Sequence, residues 1–344
     1  MNTSTRQHLA LAAKGWLLWL AIGLGTAQSQ ILIGQTAGFS GAVAAGVKET
    51  TDGAALYFNA VNVRGGINGQ KIELISLDDK FEPPLAAENA RKLITERNVL
   101  ALFLSRGTPH TEAILPLLAQ YGVPLVAPST GAAVLHEPLK KYIFNVRAPY
   151  QRESEKAVLH LKTLGLQRIA VVHPDDSFGR DGLEGANKGF KKIELNPIAV
   201  IKTERNKPDY NQIVPQLMGA KAQAVLWIGS ASVVSEGVRL LRAAGSAAQV
   251  VTLSNNASSG FVKALGPHSQ GVIVTQVFPN ERSIAYPMVK EAKSLAKAIS
   301  NTEISPAMLE GFAGAKVLVE ALRRAGKNPT RESLQTALEQ MNFY

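Results

Sequence analysis

Hydrophobic strands and amphipathic helices alternate along most of the chain, and this alternation is its main structural signal. Residues 31–35 are predicted to form a strand, which leads through a glycine-rich loop into a helix and then into a strand at residues 72–77. The helix is predicted to end at Gly65 and Gly66, because glycine readily adopts the left-handed conformation at helix C-termini. Since the crossover between such strands is right-handed, we expect both strands to be parallel in one sheet.

The alternation continues beyond this first unit, and a crossover is predicted at residues 142–149. Further strands are predicted at residues 99–104, 124–128, 168–172, 198–202, 224–228, 250–253 and 272–276, with helices between them and three helices after the last strand. This order predicts an α/β fold with two Rossmann-like lobes, whose mainly parallel sheets are joined by hinge crossover strands. We assign residues 28–147 and 277–344 to lobe 1 and residues 148–276 to lobe 2.

Residues 1–27 have the pattern of a secretory signal peptide. Arg6 and Lys14 provide positive charge, residues 16–24 form an apolar core, and three small residues follow at 25–27. The apolar run is shorter than the roughly 20 residues that a membrane-spanning helix needs. We therefore predict export, cleavage and a periplasmic location, with an uncleaved anchor as the alternative.

The chain contains no cysteine and has a formal net charge of +10. Without cysteine it forms no disulfide, performs no thiol chemistry and has no site for a lipid anchor on a cysteine. The predicted signal peptide contains two basic residues and no acidic one, so its removal leaves a net charge of +8. The remaining basic residues are scattered and are not interleaved with aromatic residues, which argues against nucleic-acid binding.

Motifs for catalysis are missing from the sequence. It contains no Walker A, HExxH or GxSxG pattern, and its histidines lack metal-ligand spacing. The pairs Asp78-Asp79 and Asp175-Asp176 follow predicted strands, where carboxylates can act as acids, bases or metal ligands. Their more common uses are helix capping and turn formation. We therefore expect a protein without catalytic activity, metal or cofactor, and keep an enzyme that uses these aspartates as an alternative.

Loops at the ends of three predicted strands carry the binding signals. They contain Ser40 in the first loop, Gly107 and Thr108 in the second, and Ser129 and Thr130 in the third. In proteins with parallel sheets, ligands bind beyond the carboxyl ends of the strands. Hydroxyl groups and free N–H groups at a positive helix end suit a carboxylate. Each loop alone is equally consistent with ordinary helix capping, but the three together favour a ligand site.

Several of these motifs resemble the branched-chain-amino-acid type of periplasmic substrate-binding protein, the receptor component of an ABC importer. FSG, RGGINGQKIEL and DDK resemble the opening of that family, and GTPHTEAILPLLAQYGVPLVAPST resembles its ligand-carboxylate loops. FNVRAPY resembles its crossover, while RIAVVHPDDSFGRDGLEG and AVLWIGSASVVSEGVRLLRAAG resemble second-lobe segments that face the ligand. The resemblance covers residues 31–341 and implies the type I periplasmic-binding-protein fold.

The resemblance also implies individual ligand contacts. In the first lobe, the implied contacts to a ligand carboxylate are Thr108, Ser129 and Thr130. In the second lobe, the implied contacts are Tyr150, Phe178, Ser230 and Asn255.

One position departs from the amino-acid-binding members of the family. Those members hold the ligand's ammonium group with an acidic side chain, where this chain has Asn255. Asparagine accepts a hydrogen bond but does not neutralise a charge, and an uncompensated buried charge is costly. A neutral amide, an aliphatic or aromatic carboxylate, or another small acid therefore fits as well as an amino acid. Asp78, Asp175 or Glu153 would have to replace the missing charge if the ligand is an amino acid.

We therefore predict a periplasmic receptor that binds a small ligand by hinge closure, needs no cofactor and delivers the ligand to an ABC permease in the inner membrane. A ligand sensor of the same fold that signals to a kinase or regulator is the alternative. Related proteins generally continue beyond the last predicted helix, at residues 331–341, into further strands. We accordingly expect either a truncated product or a member without that element.

Overall fold

The computed structural model describes residues 30–299 and 302–341, so the predicted signal peptide lies outside the described residues. The described residues form two five-stranded sheets in which neighbouring strands are parallel. The prediction of an α/β fold with two parallel sheets is confirmed. Each sheet, together with the helices packed on it, is called a lobe below.

The first lobe combines the beginning of the chain with its C-terminal part. Its first elements are β1 (Gln30–Ala37), α1 (Ala44–Val63), β2 (Lys71–Asp78), α2 (Pro83–Thr95), β3 (Ala101–Phe103), α3 (Thr108–Tyr121), β4 (Leu125–Val126) and β5 (Ile143–Phe144). The strand order is β2-β1-β3-β4-β5.

The second lobe is formed by the middle of the chain. Its elements are α4 (Tyr150–Thr163), β6 (Ile169–Pro174), α5 (Ser177–Lys192), β7 (Ala199–Thr203), α6 (Tyr210–Gly219), β8 (Ala224–Trp227), α7 (Ala231–Ala243), β9 (Gln249–Thr252), α8 (Ser259–Leu265) and β10 (Val272–Val274). The strand order is β10-β9-β8-β6-β7. Helices α9 (Pro287–Ile299), α10 (Pro306–Arg324) and α11 (Arg331–Glu339) then return to the first lobe.

The C-terminal helices contribute to the core of the first lobe. Helix α10 packs along α1, where Gly53 and Gly311 allow the two backbones to approach closely. A Cβ atom on Gly53 would lie 2.0 Å from the carbonyl oxygen of Met308, and one on Gly311 would lie 1.7 Å from that of Thr50. Buried side chains of α9 and α11, including Leu334, belong to the same apolar cluster. The first lobe is therefore complete only after the chain has returned from the second.

The sheet of the second lobe is covered on both faces. One face packs against α4 and α5 through residues such as Val158 and Phe190. The opposite face packs against α6, α7 and α8 around Trp227 and Phe261. Helix α7 approaches the indole closely, since a Cβ atom on Gly237 would lie 2.1 Å from its Cη2 atom. Burial on both faces accounts for the continuous apolar runs of these strands in the sequence.

Two segments connect the lobes, at residues 145–149 and 275–286. The predicted lobe boundaries at residues 147 and 276 fall within these segments and remain predictions. Among the residues that the structure describes, no helix combines the length and apolar character that crossing a membrane requires.

Some elements differ from their predicted form. Helices α3 and α4 begin at Thr108 and Tyr150, earlier than the predicted starts at residues 111 and 152. Strand β5 lies inside the predicted crossover, and α8 was not predicted; they have two and seven residues, too few for a periodic apolar pattern. The loop after β4 is followed by a three-residue 3-10 helix, Ala133–Leu135. Of the two adjacent loops, only the one after β3 therefore leads directly into an α-helix.

Candidate functional site

The loop after β3 brings the start of α3 to the cleft between the lobes. Gly107 caps this helix with a φ of +93° and Thr108 is its first residue. A side chain at position 107 would collide with its neighbours, because a Cβ atom there would lie 2.7 Å from His110 Nδ1 and 3.0 Å from Phe81 Cε2. The loop therefore needs glycine, and its fold exposes the positive end of α3 to the cleft.

Hydroxyl groups from the two adjacent loops meet beside this helix start. The Oγ1 atoms of Thr108 and Thr130 are 2.7 Å apart, and both side chains are buried. Ser129 Oγ accepts a hydrogen bond of 2.9 Å from Arg106 Nη1. The structure thus brings Thr108, Ser129 and Thr130 together, but of these three only Thr108 belongs to the lining of the central cavity. Their contact with a ligand stays a prediction.

Ser40 lies away from this group of hydroxyls. Its side chain is exposed, and its Oγ donates to Asp78 Oδ2 over 2.6 Å. The backbone N–H groups of Phe39 and Lys80 also donate to this carboxylate. Partial burial acts in the opposite direction, but these hydrogen bonds keep the pKa of Asp78 below its usual value. The pair of Ser40 and Asp78 shapes the loop after β1 and does not line the central cavity.

The two lobes enclose a central cavity with a volume of about 20 Å³. That volume accommodates about one water molecule, so a larger ligand requires the lobes or the lining side chains to move apart. Both lobes provide its lining residues, which are Val43, Phe81, Arg106, Gly107, Thr108, Tyr150, Phe178, Arg205, Ser230 and Asn255.

Aromatic rings form much of the cavity wall. The ring centroids of Tyr150 and Phe178 are 5.0 Å apart at an interplanar angle of 64°. Phe81 stacks on His110 at 4.3 Å, and the guanidinium of Arg205 lies 5.3 Å from the Phe81 ring centroid. Burial raises the pKa of Tyr150 and lowers the pKa of His110 to about 4. Both side chains are therefore uncharged at neutral pH, and the wall is apolar on these sides.

Two second-lobe side chains offer polar atoms without partners. Ser230 is 7% exposed, and its buried Oγ has no hydrogen-bond partner in the part of the chain that the structure describes. Asn255 donates from Nδ2 to the carbonyl oxygen of Gly229 over 2.9 Å and to Asn256 Oδ1 over 3.0 Å. No donor from the described residues reaches the buried Oδ1 atom of Asn255. The second lobe therefore presents a hydroxyl and an amide oxygen with unused hydrogen-bonding capacity.

Arg106, Arg205 and Phe81 line the cavity but were not predicted as site residues. Arg106 Nη2 crosses the cleft and donates to the carbonyl oxygen of Asn255 over 2.6 Å. Arg205 follows β7, and its Nη2 lies 2.5 Å from Asp176 Oδ2. In the sequence, Arg106 stands directly before Gly107 in the binding loop. That position was the one available signal, whereas the isolated Arg205 offered none.

A buried ion-pair network lies where the chain first crosses between the lobes. Arg147 contacts Glu153 of α4 at 3.1 Å and Glu310 of α10 at 3.3 Å, and it donates to Ser254 Oγ. Burial by itself would lower the pKa of Arg147, but the carboxylates of Glu310 and Glu153 hold that pKa above its usual value. Because the two glutamates belong to different lobes, this network ties the lobes together at the hinge.

The paired aspartates serve local structure. Asp79 accepts hydrogen bonds from Thr36 Oγ1 and from the backbone N–H of Phe81, and burial raises its pKa to about 6. Asp176 caps α5 by accepting from the N–H of Gly179. In the described parts of the chain, no three His, Asp or Glu side chains are grouped in a way that could hold a metal ion.

Comparisons with known proteins agree in the kind of protein they find. The family described as Periplasmic binding protein matches residues 30–344. The Leu/Ile/Val-binding protein homolog 3 of Brucella melitensis is 23% identical over 340 residues, which cover 98% of this chain and 89% of the relative.

Two solved structures are also similar to this chain. A substrate-binding periplasmic protein from Ralstonia solanacearum is 32% identical with a TM-score of 0.82, over 90% of this chain and 89% of the other. A possible leucine/isoleucine/valine-binding protein from Rhodopirellula baltica is 25% identical with a TM-score of 0.84, over 91% of this chain and 86% of the other.

Proposed function

Because this chain belongs to the branched-chain-amino-acid receptor type of the periplasmic binding protein family, we propose that it is a solute receptor that closes on a small carboxylate-bearing ligand and delivers it to an ABC importer. The type I periplasmic-binding fold predicted from the motifs is confirmed by the same similarities. The family is extracytoplasmic, which supports export by the predicted signal peptide.

The observation that carries this proposal is the cavity shared by the two lobes. The first lobe contributes the start of α3 with Gly107 and Thr108, while the second contributes Phe178, Ser230 and Asn255. A helix N-terminus and nearby hydroxyl groups suit a carboxylate, and the opposite wall covers the rest of a ligand. Binding in such a cleft couples ligand contact to closure of the lobes about their connecting segments.

The proposal also includes the inner-membrane permease as partner. The structurally similar LivJ protein from Streptococcus pneumoniae is a substrate-binding protein of a branched-chain amino acid transporter, and its structure was solved in complex with isoleucine. A role in transport is therefore supported by relatives, and the ligand of this chain is a separate question. Deleting the gene should abolish uptake of the ligand identified in vitro. Unchanged uptake with a lost transcriptional response to that ligand would instead indicate a sensor.

A thermal-shift screen of the purified protein tests ligand binding. Amino acids, their amides, aliphatic acids and aromatic acids should be tested, followed by small-angle X-ray scattering with any compound that binds. A ligand at 100 times its dissociation constant adds about 2.7 kcal/mol of stability, and we expect closure to reduce the radius of gyration. Cooperative melting without a shift from any compound would contradict the proposed receptor function.

Thr108→Val provides a matched variant for the same screen. It keeps the side-chain shape and removes the hydroxyl that lies 2.7 Å from Thr130 Oγ1. We expect carboxylate affinity to fall roughly tenfold, the value of one hydrogen bond to a charged group, while cooperative melting is retained. An unchanged affinity would show that this hydroxyl does not contact the ligand.

A further inference from the structure

Arg106 is a buried cation whose hydrogen-bond partners are neutral. The residue is 6% exposed, and its guanidinium donates to Ser129 Oγ over 2.9 Å and to the carbonyl oxygen of Asn255 over 2.6 Å. Among the residues that the structure describes, no Asp or Glu carboxylate forms an ion pair with it. Burying a charge is costly unless an opposite charge compensates it. The cavity beside Arg106 is therefore a favourable position for an anion.

The other two arginines at the cleft have different surroundings. Arg147 lies between the carboxylates of Glu153 and Glu310, at 3.1 and 3.3 Å. Arg205 has the carboxylate of Asp176 at 2.5 Å. Since protein carboxylates already pair with both of these guanidinium groups, Arg106 is the arginine of the three that is left to pair with a ligand anion.

The cavity has no matching feature for a cation. Within the described ranges, 30–299 and 302–341, no Asp or Glu side chain belongs to its lining. The nearby Glu153 carboxylate accepts from Arg147, from the N–H and Oγ of Ser254, and from Thr275 Oγ1. An ammonium group in the cavity would meet the guanidinium of Arg106 without a carboxylate partner, and like charges in a buried site are unfavourable. Glu153, one of the acidic residues that the sequence offered as a partner for a ligand's ammonium group, therefore already accepts hydrogen bonds from residues at the hinge.

The remaining lining residues of the cavity favour a ligand that has an apolar body and a neutral polar group. Phe81, Tyr150 and Phe178 provide aromatic surface, while Ser230 Oγ and Asn255 Oδ1 lack hydrogen-bond partners. An amide oxygen accepts a hydrogen bond from a neutral donor such as a hydroxyl. A hydroxyl on the ligand would satisfy it without bringing a second positive charge into the site.

From these contacts, and building on the proposed receptor function, we infer that the ligand is a small carboxylic acid with an apolar body and no ammonium group, and that its carboxylate pairs with Arg106. The guanidinium already joins Ser129 of the first lobe to the Asn255 backbone of the second. An anion on Arg106 therefore sits where the two lobes meet, and its charge stabilises the closed cleft.

Matched series of compounds test the ligand class by calorimetry. One series is 3-phenylpropanoate, 2-hydroxy-3-phenylpropanoate and phenylalanine; the other is 4-methylpentanoate, 2-hydroxy-4-methylpentanoate and leucine. We expect at least one acid or hydroxy acid to bind roughly tenfold or more tightly than the amino acid of its series. An amino acid that binds as tightly as its matched acids would overturn the inference and leave the receptor function intact.

Failure of the whole series is also informative. If none of the six compounds binds but another class from the screen does, the inferred ligand class is wrong and the receptor function stands. If no compound of any class binds to cooperatively folded protein, the receptor function fails as well.

Arg106 variants test its role through the ligand's own charge. Affinities for the tightest-binding acid and for its carboxamide should be measured in the wild type, Arg106→Lys and Arg106→Gln. We expect the wild type to prefer the acid roughly tenfold or more, Arg106→Lys to keep part of this preference, and Arg106→Gln to lose it. A purely structural role of Arg106 would weaken acid and amide equally and leave their ratio unchanged, which would refute the pairing. Arg239→Gln is the control, because Arg239 is exposed and pairs with Glu236 on α7.

Discussion

Replacing Arg147 by methionine should destabilise the protein strongly, because it removes the cation between two buried carboxylates. Arg147 and Glu153 are each 5% exposed and Glu310 is 7% exposed, so water does not compensate the change. Methionine fills a similar volume but leaves both glutamates buried without a positive partner. Breaking a buried pair in this way costs about 3–5 kcal/mol. This is a large part of the roughly 5–15 kcal/mol by which proteins are usually stable.

Equilibrium urea unfolding followed by circular dichroism measures this loss. Arg152→Met is the matched control, because Arg152 is an exposed arginine in the first turn of α4; its effect should stay within about 0.5 kcal/mol. Adding Glu153→Gln and Glu310→Gln to Arg147→Met should restore part of the stability, since the uncompensated charges disappear. Such coupling is the mark of residues that interact directly.

Two results would refute this reasoning. A loss of less than about 1 kcal/mol for Arg147→Met would mean that the glutamates find other compensation. Strict additivity of the three substitutions would mean that the three charges act independently. That result would conflict with the structure, in which Arg147 lies 3.1 Å from Glu153 and 3.3 Å from Glu310. In either case the network would not be the link between the lobes at the hinge.

Two further predictions concern a buried carboxylate and a helix contact. Burial raises the pKa of Asp79 from 3.8 to about 6. The ionised carboxylate therefore destabilises the folded state above about pH 6, whereas at low pH the carboxyl is protonated and this cost is absent. Asp79→Asn should therefore be more stable than the wild type by up to about 3 kcal/mol at pH 7.5. In urea unfolding repeated at lower pH, this gain should shrink to zero by about pH 4. A gain independent of pH would show that it does not come from ionisation of Asp79. Gly53→Ala should lower stability by about 1–3 kcal/mol, because the new Cβ would lie 2.0 Å from the carbonyl oxygen of Met308. Gly219→Ala is the control and should be nearly neutral, since its new Cβ would meet no atom within 4 Å. Equal thermal-melting temperatures for the two variants would argue against the close contact at Gly53.

The sequence predicted most of the regular elements because their signals are local. A buried parallel strand is a short apolar run, as at residues 224–228, and a helix C-terminus often carries glycine, as at Gly65. Loops that follow consecutive parallel strands must lie at the same end of a sheet, which is why the hydroxyls of Thr108, Ser129 and Thr130 were expected to meet. Elements as short as β5 and α8 leave no such pattern and were not predicted.

The sequence by itself therefore determined the two parallel α/β lobes, the end of the sheet that carries the candidate site, and the loop at Gly107. Only the tertiary structure decided which side chains enter the cleft. Ser40 turns to Asp78, while Arg106 reaches Asn255, 149 positions later in the chain. Local periodicity and turn chemistry depend on neighbouring residues, whereas the partner of a long polar side chain depends on how distant segments pack. The charge balance of the cavity, and with it the class of ligand, is accordingly a property of the folded pair of lobes.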